Sequence, residues 1–375
     1  MKKIIFGYYF QFELNGHFAE LEEELSFYPD YETEPDESRR IIISIVDKPG
    51  SDTISTNPSS INVFETGFAM NLGYALIRWN LSSLKDNIIK IELIPGKGHK
   101  GLRGFVKRFR SIGYEIFPED IGKIIHELIL VPVTFFFKDK IILHGASLYN
   151  KVHKRSIVLG GTGGVGKTSA LLRLGKGKDW AFLSDDIVVV DSEGIIYPNY
   201  SYPKIYAYNT MNNKPLERLI LKENGLPGKF QWKSIKRYNR SRVRRRLSPD
   251  LLYNTDYLEP ALDCNLFLFR CNHPKSTGVE RIDSKISTQL EMQIILAEYD
   301  TFFRYLRWYE YNAMGLGLEA YAKMDEFVEN YSALSEEVFS KANNYLFKLG
   351  TNSSFEEYTN SICNTAERLI SDGSL

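Results

Sequence analysis

The order of apolar and polar positions changes character along the chain. "MKKIIFGYYFQFELNG" reads as a first strand. The stretch from Phe18 to Ser38, "FAELEEELSFYPDYETEPDES", then holds nine acidic residues and no basic one. It reads as a solvated helix face followed by a proline-containing loop. "RRIIISIVD" is a further strand, and "GFAMNLGYALIRWNL" another strand or a hairpin. "GKGHKGLRGFVKRFRS" is a glycine-rich basic connection, and a domain boundary is expected close after it, near residue 115. "PEDIGKIIHELILVPVTFFF" opens with acids suited to a helix first turn and has apolar residues at 121, 124, 125 and 128.

Beyond it the pattern is that of an α/β core. "KDKIILHGASLYNKVHKRSIVLGG" gives two strands joined by a polar turn, and "TSALLRLG" a helix with a glycine stop. "WAFLSDDIVVVDSEG" gives strand, aspartates, strand and turn. "DCNLFLFRC" is another strand, residues 286–345 are mostly helical, and the chain ends in a short strand and a helix capped near Ser353. The organisation expected is an N-terminal α/β module over 1–115, of unassigned role, and a larger mixed α+β domain over 116–375.

Composition narrows the class only a little. The 375 residues are 43% hydrophobic and 25% charged with zero formal net charge, so the balance is that of an ordinary globular chain. Nothing in that balance points to nucleic acid or an anionic membrane as the main partner. Cys264, Cys271 and Cys363 form neither a disulfide framework nor a zinc pattern and suit a reducing compartment. No apolar run is long enough to span a bilayer and the start lacks the pattern of a signal peptide, so a cytoplasmic location is expected.

The chemistry concentrates in "GGTGGVGKTSALLRLGKGKDWAFLSDD". Gly161–Thr168 matches G-x-x-x-x-G-K-[ST] once in the chain. In such a loop glycines let successive N–H groups face phosphate oxygens, and the following helix offers its positive end to the same anion. Gly161, Thr162, Gly163, Gly164, Val165, Gly166, Lys167, Thr168 and Ser169 are therefore the candidate nucleotide contacts. Lys167 would reach the β- and γ-phosphates, and Thr168 would offer its hydroxyl to Mg²⁺. The bland alternative, a glycine-rich turn with an incidental lysine, leaves the flanking strand and helix unexplained. Asp185 and Asp186 follow Lys167 by only 18 and 19 positions. Ending a strand beside the loop, one carboxylate could hold Mg²⁺ and the other accept a proton from an attacking hydroxyl.

These motifs, "ILHGASL", "IVLGGTGGVGKTSALLRL" and "FLSDDIVVVD", resemble the catalytic core of the HPr kinase/phosphorylase family. That family shares its P-loop fold with phosphoenolpyruvate carboxykinases. The resemblance covers roughly residues 119–210 and extends weakly to the closing strand and helix. It implies a phosphoenolpyruvate-carboxykinase-like kinase core using ATP and Mg²⁺. It also implies that His144 lies beside the reacting phosphate and that the aspartates share base and metal duties, Asp186 assigned as base and Asp185 to the metal. The reverse assignment stays open, and His144 could equally be a hydrogen-bonded strand-end histidine. The acceptor implied is a serine-type hydroxyl of a protein or peptide, with a small hydroxylated metabolite as alternative. The downstream motif E-[IV]-R-G-L-G of HPr kinases is absent, so the resemblance supports neither HPr as substrate nor phosphorylase activity. A nucleotide-sensing module or an ATPase are the competing classes, and a homo-oligomer is left open.

"KRYNRSRVRRR", residues 236–246, holds seven cations and no acid. It could be a solvated helix face, a surface for an acidic partner or nucleic acid, or the source of an arginine for the transferring phosphoryl group. Lys204 is a weaker candidate for that last duty, or for contacting the acceptor.

Overall fold

The computed structural model describes residues 1–375 except 15, 17, 49–51, 57–60, 97–120, 212, 224, 272–277, 351–352 and 373–375. The expected basic connection and the boundary near residue 115 lie outside the described residues. The chain forms mixed α/β structure built on two eight-stranded sheets.

The first sheet contains β1 (Lys2–Ile5), β2 (Tyr8–Leu14), β3 (Arg40–Ile45), β4 (Ser55–Thr56), β5 (Ile61–Phe64), β6 (Gly67–Asn71), β7 (Ala75–Asn80) and β8 (Ile88–Pro95), in the order β1-β2-β3-β8-β7-β6-β5-β4. The opening segment is a hairpin and not the single strand its pattern suggests. Phe6 and Gly7 both take positive φ, 54° and 71°, which closes a two-residue turn whose twist matches the strands. β2 and β3 run parallel, with α1 (Ala19–Leu25) in the connection. β6 and β7 form the hairpin that was one of two readings of "GFAMNLGYALIRWNL".

The link to the second sheet is α2 (Ile121–Ile125), a π-helical stretch (His126–Leu130) and α3 (Val131–Phe137). Then come β9 (Lys140–Asn150), β10 (Arg155–Gly160), α4 (Lys167–Leu174), β11 (Trp180–Ser184), β12 (Ile187–Asp191) and β13 (Ile196–Tyr197). β14 (Lys204–Tyr206) and β15 (Arg244–Arg246) form a separate two-stranded ribbon, with α5 (Lys214–Glu223) and α6 (Leu226–Tyr238) between them. β16 (Cys264–Cys271), β17 (Gly278–Arg281), α7 (Ser284–Glu298), α8 (Asp300–Gly315), α9 (Met324–Lys341), β18 (Asn343–Gly350) and α10 (Phe355–Asp372) complete the chain. The last helix is capped at Ser354, one residue beyond the expected position, by reciprocal bonds with Glu357. The sheet order is β13-β12-β9-β10-β16-β18-β17, with β11 also on β9. β10, β16 and β18 are mutually parallel, while β9 is antiparallel to β10, β11 and β12.

One apolar core runs through both sheets. Trp79 of β7 is fully buried, its ring 5.1 Å from Phe136 of α3 and 5.9 Å from Phe302 of α8. Phe68 of β6 stacks on Tyr309 of α8 at 5.1 Å. Removing such a ring leaves a cavity that packed neighbours cannot close. Trp79→Ala is expected to destabilise the protein by about 3–5 kcal/mol, with both sheets still unfolding in one transition. Denaturant melts followed by circular dichroism and by proteolysis of each half check this; a variant losing only the first sheet would contradict the shared core.

Candidate functional site

The loop and the aspartates meet because β9 has partners on both edges. β10 ends at Gly160, paired with Gly145, and turns into the glycine loop. On the other edge β11 and β12 lie in line, with Ser184 opposite Ser147 and Ile187 opposite His144. Asp185 and Asp186 fill the break between them. Neighbours in a regular strand point to opposite faces. Asp186 escapes that rule with a φ of 82°, while its carbonyl still accepts from the Gly145 amide at 3.0 Å. A non-glycine residue in this region is a local strain of order 1–3 kcal/mol, of the kind found at functional sites. Both carboxylates thereby line one cavity of about 400 Å³ with His144, Lys167, Thr168 and Lys204.

The loop geometry suits an anion. Gly166 precedes α4 with a φ of 94°, and a Cβ there would come within 2.5 Å of the Tyr358 ring. The Tyr358 hydroxyl of α10 donates to the Val165 carbonyl, which ties the loop to the closing helix. A Cβ at Gly163 or Gly164 would meet nothing within 4 Å, so the loop is open on the cavity side. The Lys167 ammonium donates to the carbonyls of Gly161 and of Thr162, the latter at 3.1 Å. The Thr168 hydroxyl donates to Asp185 at 3.0 Å, which joins two residues expected to serve one metal. Asn209 donates to Ser169 at 2.9 Å.

Charges are dense here. Lys204 bridges Asp186 at 2.8 Å and Glu127 at 2.6 Å. The His144 ring lies 3.7 Å from Asp186 and 3.9 Å from Glu298, while its Nδ1 is buried with no hydrogen-bond partner among the described residues. Its backbone amide donates to Glu291 at 2.6 Å. Burial, then Lys167, push the imidazole down to about 4, so it is neutral near pH 7. Burial and the neighbouring Asp186 push Asp185 up to about 7. Burial also pulls Asp186 upward, but Lys204, His144 and Lys167 outweigh it and hold that carboxyl well below the usual range. The side chain of Asp186 keeps 43% of its surface open to the cavity, so its desolvation is the shallower of the two.

Among the described residues no three His, Cys, Asp or Glu side chains converge as a metal site. That does not conflict with Mg²⁺, which commonly takes one or two protein oxygens and fills its other positions with phosphate and water. Thr168 and Asp185 fit that pattern.

Most of the expected residues come together on the cavity, namely Gly163, Gly164, Gly166, Lys167, Thr168, Ser169, Asp185, Asp186, His144 and Lys204, whereas Gly161, Thr162 and the buried Val165 are not among its lining residues. Of the basic run, Arg244 lines the cavity, donating to the Tyr206 hydroxyl at 2.9 Å with its guanidinium over that ring. The rest of the run divides, so it is not one solvated face. Lys236 pairs with Glu217, Arg245 is buried against Gln231, and Arg246 reaches Glu24. Sequence reasoning missed Glu127, Glu291, Glu298, Tyr206 and Tyr208. Glu291 and Glu298 stand seven residues apart in α7, two helical turns on one face, a spacing that was visible in the chain.

No protein-family model matches the chain, and no curated protein sequence matches it. Among the described residues no helix is long and apolar enough to cross a membrane.

Glu291 gives a pH test. Burial pushes it from an ordinary 4.5 up to about 7, against the His144 amide and Lys167, which lower it. A carboxyl raised on folding contributes stability that is present below its unfolded value and lost as pH climbs through its folded value. Wild type should therefore lose about 3 kcal/mol between about pH 4.5 and pH 7 from this group, by the usual 1.36 kcal/mol per unit. Glu291→Gln should lack that loss, so its Tm should gain on wild type from about pH 5 to about pH 8. Parallel Tm–pH curves would exclude a charge-burial penalty at Glu291.

Proposed function

We propose that the chain is an ATP- and Mg²⁺-dependent kinase transferring the γ-phosphoryl group to a hydroxyl acceptor. Its core would follow the phosphoenolpyruvate-carboxykinase-like P-loop plan that its motifs resemble. The observation that carries this reading is the meeting of loop and aspartate pair in one cavity, with Thr168 bonded to Asp185 and Asp186 beside it.

The residues fit the group. The open side of Gly163 and Gly164, the amino end of α4 and the Lys167 ammonium suit phosphates, and Thr168 with Asp185 would hold the cation. A second cavity of about 430 Å³ shares Ser169 with the first and is lined by Leu172, Asn209, Met211 and Phe355, which suits the nucleoside end. Bound MgATP supplies the phosphoryl group together with the cation that offsets its charge.

The chain's own residues do the rest. Asp186, ionised and fixed by Lys204, would accept the proton of the acceptor hydroxyl as that oxygen bonds to the γ-phosphorus and the bond to the β,γ-bridging oxygen breaks, releasing ADP. A carboxylate held this low is a weak base. It takes the proton late, once the new bond has made the hydroxyl acidic, as a loose transition state requires. Lys167 and Arg244 donate to the charge that gathers on the transferring group. The neutral His144 ring presents a polar edge without adding a cation. Positioning supplies most of the remaining rate. A sensing module would need a loop and no such base. The acceptor follows from the resemblance, a serine-type hydroxyl on a protein or peptide.

The test uses γ-labelled ATP and Mg²⁺ with a heat-treated lysate as the source of acceptors. Label is expected in a discrete acceptor with wild type and should be lost with Lys167→Ala. Asp186→Asn should lower kcat by about 10²–10⁴-fold with ATP affinity within about twofold. Arg244→Ala should lower kcat by about 10³-fold if its guanidinium meets the transferring group. Release of free phosphate alone would replace the kinase by an ATPase. Unchanged transfer in Asp186→Asn would sink the base assignment.

A further inference from the structure

The acidic helix α1 reads in sequence as a solvated face, yet one of its carboxylates is among the most buried charges of the molecule. Glu24 is 2% exposed. Its Oε2 accepts from Arg246 at 2.8 Å and lies 3.2 Å from Nδ1 of His126. The approach is close enough that Gly122 has no room for a side chain: a Cβ there would come within 2.1 Å of the Glu24 carboxylate. His126 is fixed in turn, its Nδ1 2.9 Å from the Gly122 carbonyl and its Nε2 3.3 Å from the Tyr28 hydroxyl. Burial raises the Glu24 carboxyl, but Arg246 and His126 outweigh it and keep it ionised below its ordinary value.

Both partners of Glu24 stand one step from the cavity. Arg246 of β15 is the cross-strand partner of Lys204 of β14. His126 precedes Glu127 in the chain. Lys204 and Glu127 form the ion pair that holds Asp186. Glu24 therefore anchors the two segments, ribbon and π-helical stretch, whose separation sets where the Lys204 ammonium sits. The ribbon is two strands of three residues each, packed inward through Ile205 and Arg245, and Glu24 engages it at its Arg246 end, opposite Lys204.

We infer that Glu24 is a positioning residue of the phosphoryl-transfer site, and that the N-terminal part of the chain completes this site by clamping Arg246 and His126 behind Lys204. This rests on the reading of Asp186 as the base. Without the clamp the Arg246 end of the ribbon shifts against the π-helical stretch, Lys204 is drawn off Asp186, and the carboxylate loses its fixed direction towards the acceptor. The loop, Lys167 and Thr168 belong to other elements and keep their affinity for MgATP.

The test compares full-length wild type, Glu24→Gln, Arg246→Lys and the double variant. MgATP turnover is followed by transfer of the γ-phosphoryl label to acceptors in the heat-treated lysate. Crystal structures report the Lys204–Asp186 separation, and Tm reports folding. Glu24→Gln is expected to lower kcat by about tenfold or more, with KM for ATP within about twofold, as a displaced catalytic group does. Lys204 should move beyond ion-pair distance of Asp186. Arg246→Lys keeps the charge and should retain more turnover than Glu24→Gln, and the double variant should fall short of the product of the two losses. A retained Lys204–Asp186 pair with unchanged kcat overturns the inference. So does a loss of KM and kcat in proportion to a lowered Tm, which marks a purely structural role. If wild type labels no acceptor in the heat-treated lysate, the kinase reading fails, while the Lys204 position in the variants still decides whether Glu24 sets it. If Glu24→Gln does not fold, Arg246→Lys carries the same comparison.

Discussion

Pairing along both edges of β9 is the constraint on which the site depends. Adjacent strands lie about 4.8 Å apart, so the end of β10 and the aspartate break face each other across β9 at about 10 Å. The loop leaves on one side and the carboxylates arrive on the other, and the Thr168–Asp185 bond at 3.0 Å closes the gap. β9 has little freedom to yield. A Cβ on Gly145 would come within 2.9 Å of the Leu159 carbonyl, and its amide is already committed to Asp186. A carboxylate pair that arrives early in sequence is thus the natural outcome of a strand that returns beside β9 after one short helix. A longer crossover would deliver it elsewhere.

The same compactness concentrates charge. Glu127, Asp185, Asp186, Glu291 and Glu298 gather around Lys167, Lys204 and Arg244, an excess of acid over base among the described residues. Burial raises Asp185, Glu291 and Glu298, while Asp186 is held down. Buried like charges are tolerated when something of opposite sign relieves them. Lys204 does this for Asp186. For Asp185 the relief supplied from within the protein is the Thr168 hydroxyl, Lys167 committed to two carbonyls, and Lys204 paired with Asp186 and Glu127. A divalent cation at Thr168 and Asp185 would reverse the push on that carboxyl, as bound metals generally do. The proposed chemistry would place positive charge where burial and Asp186 push Asp185 upward.

How much of this was legible in the chain differs by residue, for physical reasons. The loop is local: glycine spacing, Lys167 and Thr168 lie within one turn, so sequence carries the geometry directly. The aspartates were legible as a pair, but their sharing of one face depends on the positive φ of Asp186, which strand alternation alone denies. Lys204 and Arg244 reach the cavity through the pairing of β14 with β15, across an insertion of two helices, and no local pattern announces that pairing. Glu291 and Glu298 sit in a helix whose spacing places them on one face, but not which face the core takes. The hairpin at Phe6–Gly7 was hidden because Phe is a poor marker of positive φ.

The acidic run shows where composition misleads. A carboxylate-rich heptad looks solvated because its partners lie far along the chain: Arg246 is 222 residues from Glu24. Charge counts in a window cannot record a pairing at that distance. The run does split as a helix face should, with Glu20 and Glu23 outside and Leu21, Glu24 and Leu25 inside, so Glu24 occupies a position that apolar spacing would give to a core residue. An ionised group accepted there, with Gly122 cut back to admit it, needs a compensating partner or the helix would leave the surface. The first sheet faces a similar limit. Trp79 and Phe68 stack on each other at 6.5 Å, and their further ring neighbours stand on α3 and α8, so the later part of the chain covers this part of the sheet. Apolar packing fixes the two halves together on that side, and the Glu24–Arg246 pair fixes them on the side of the site.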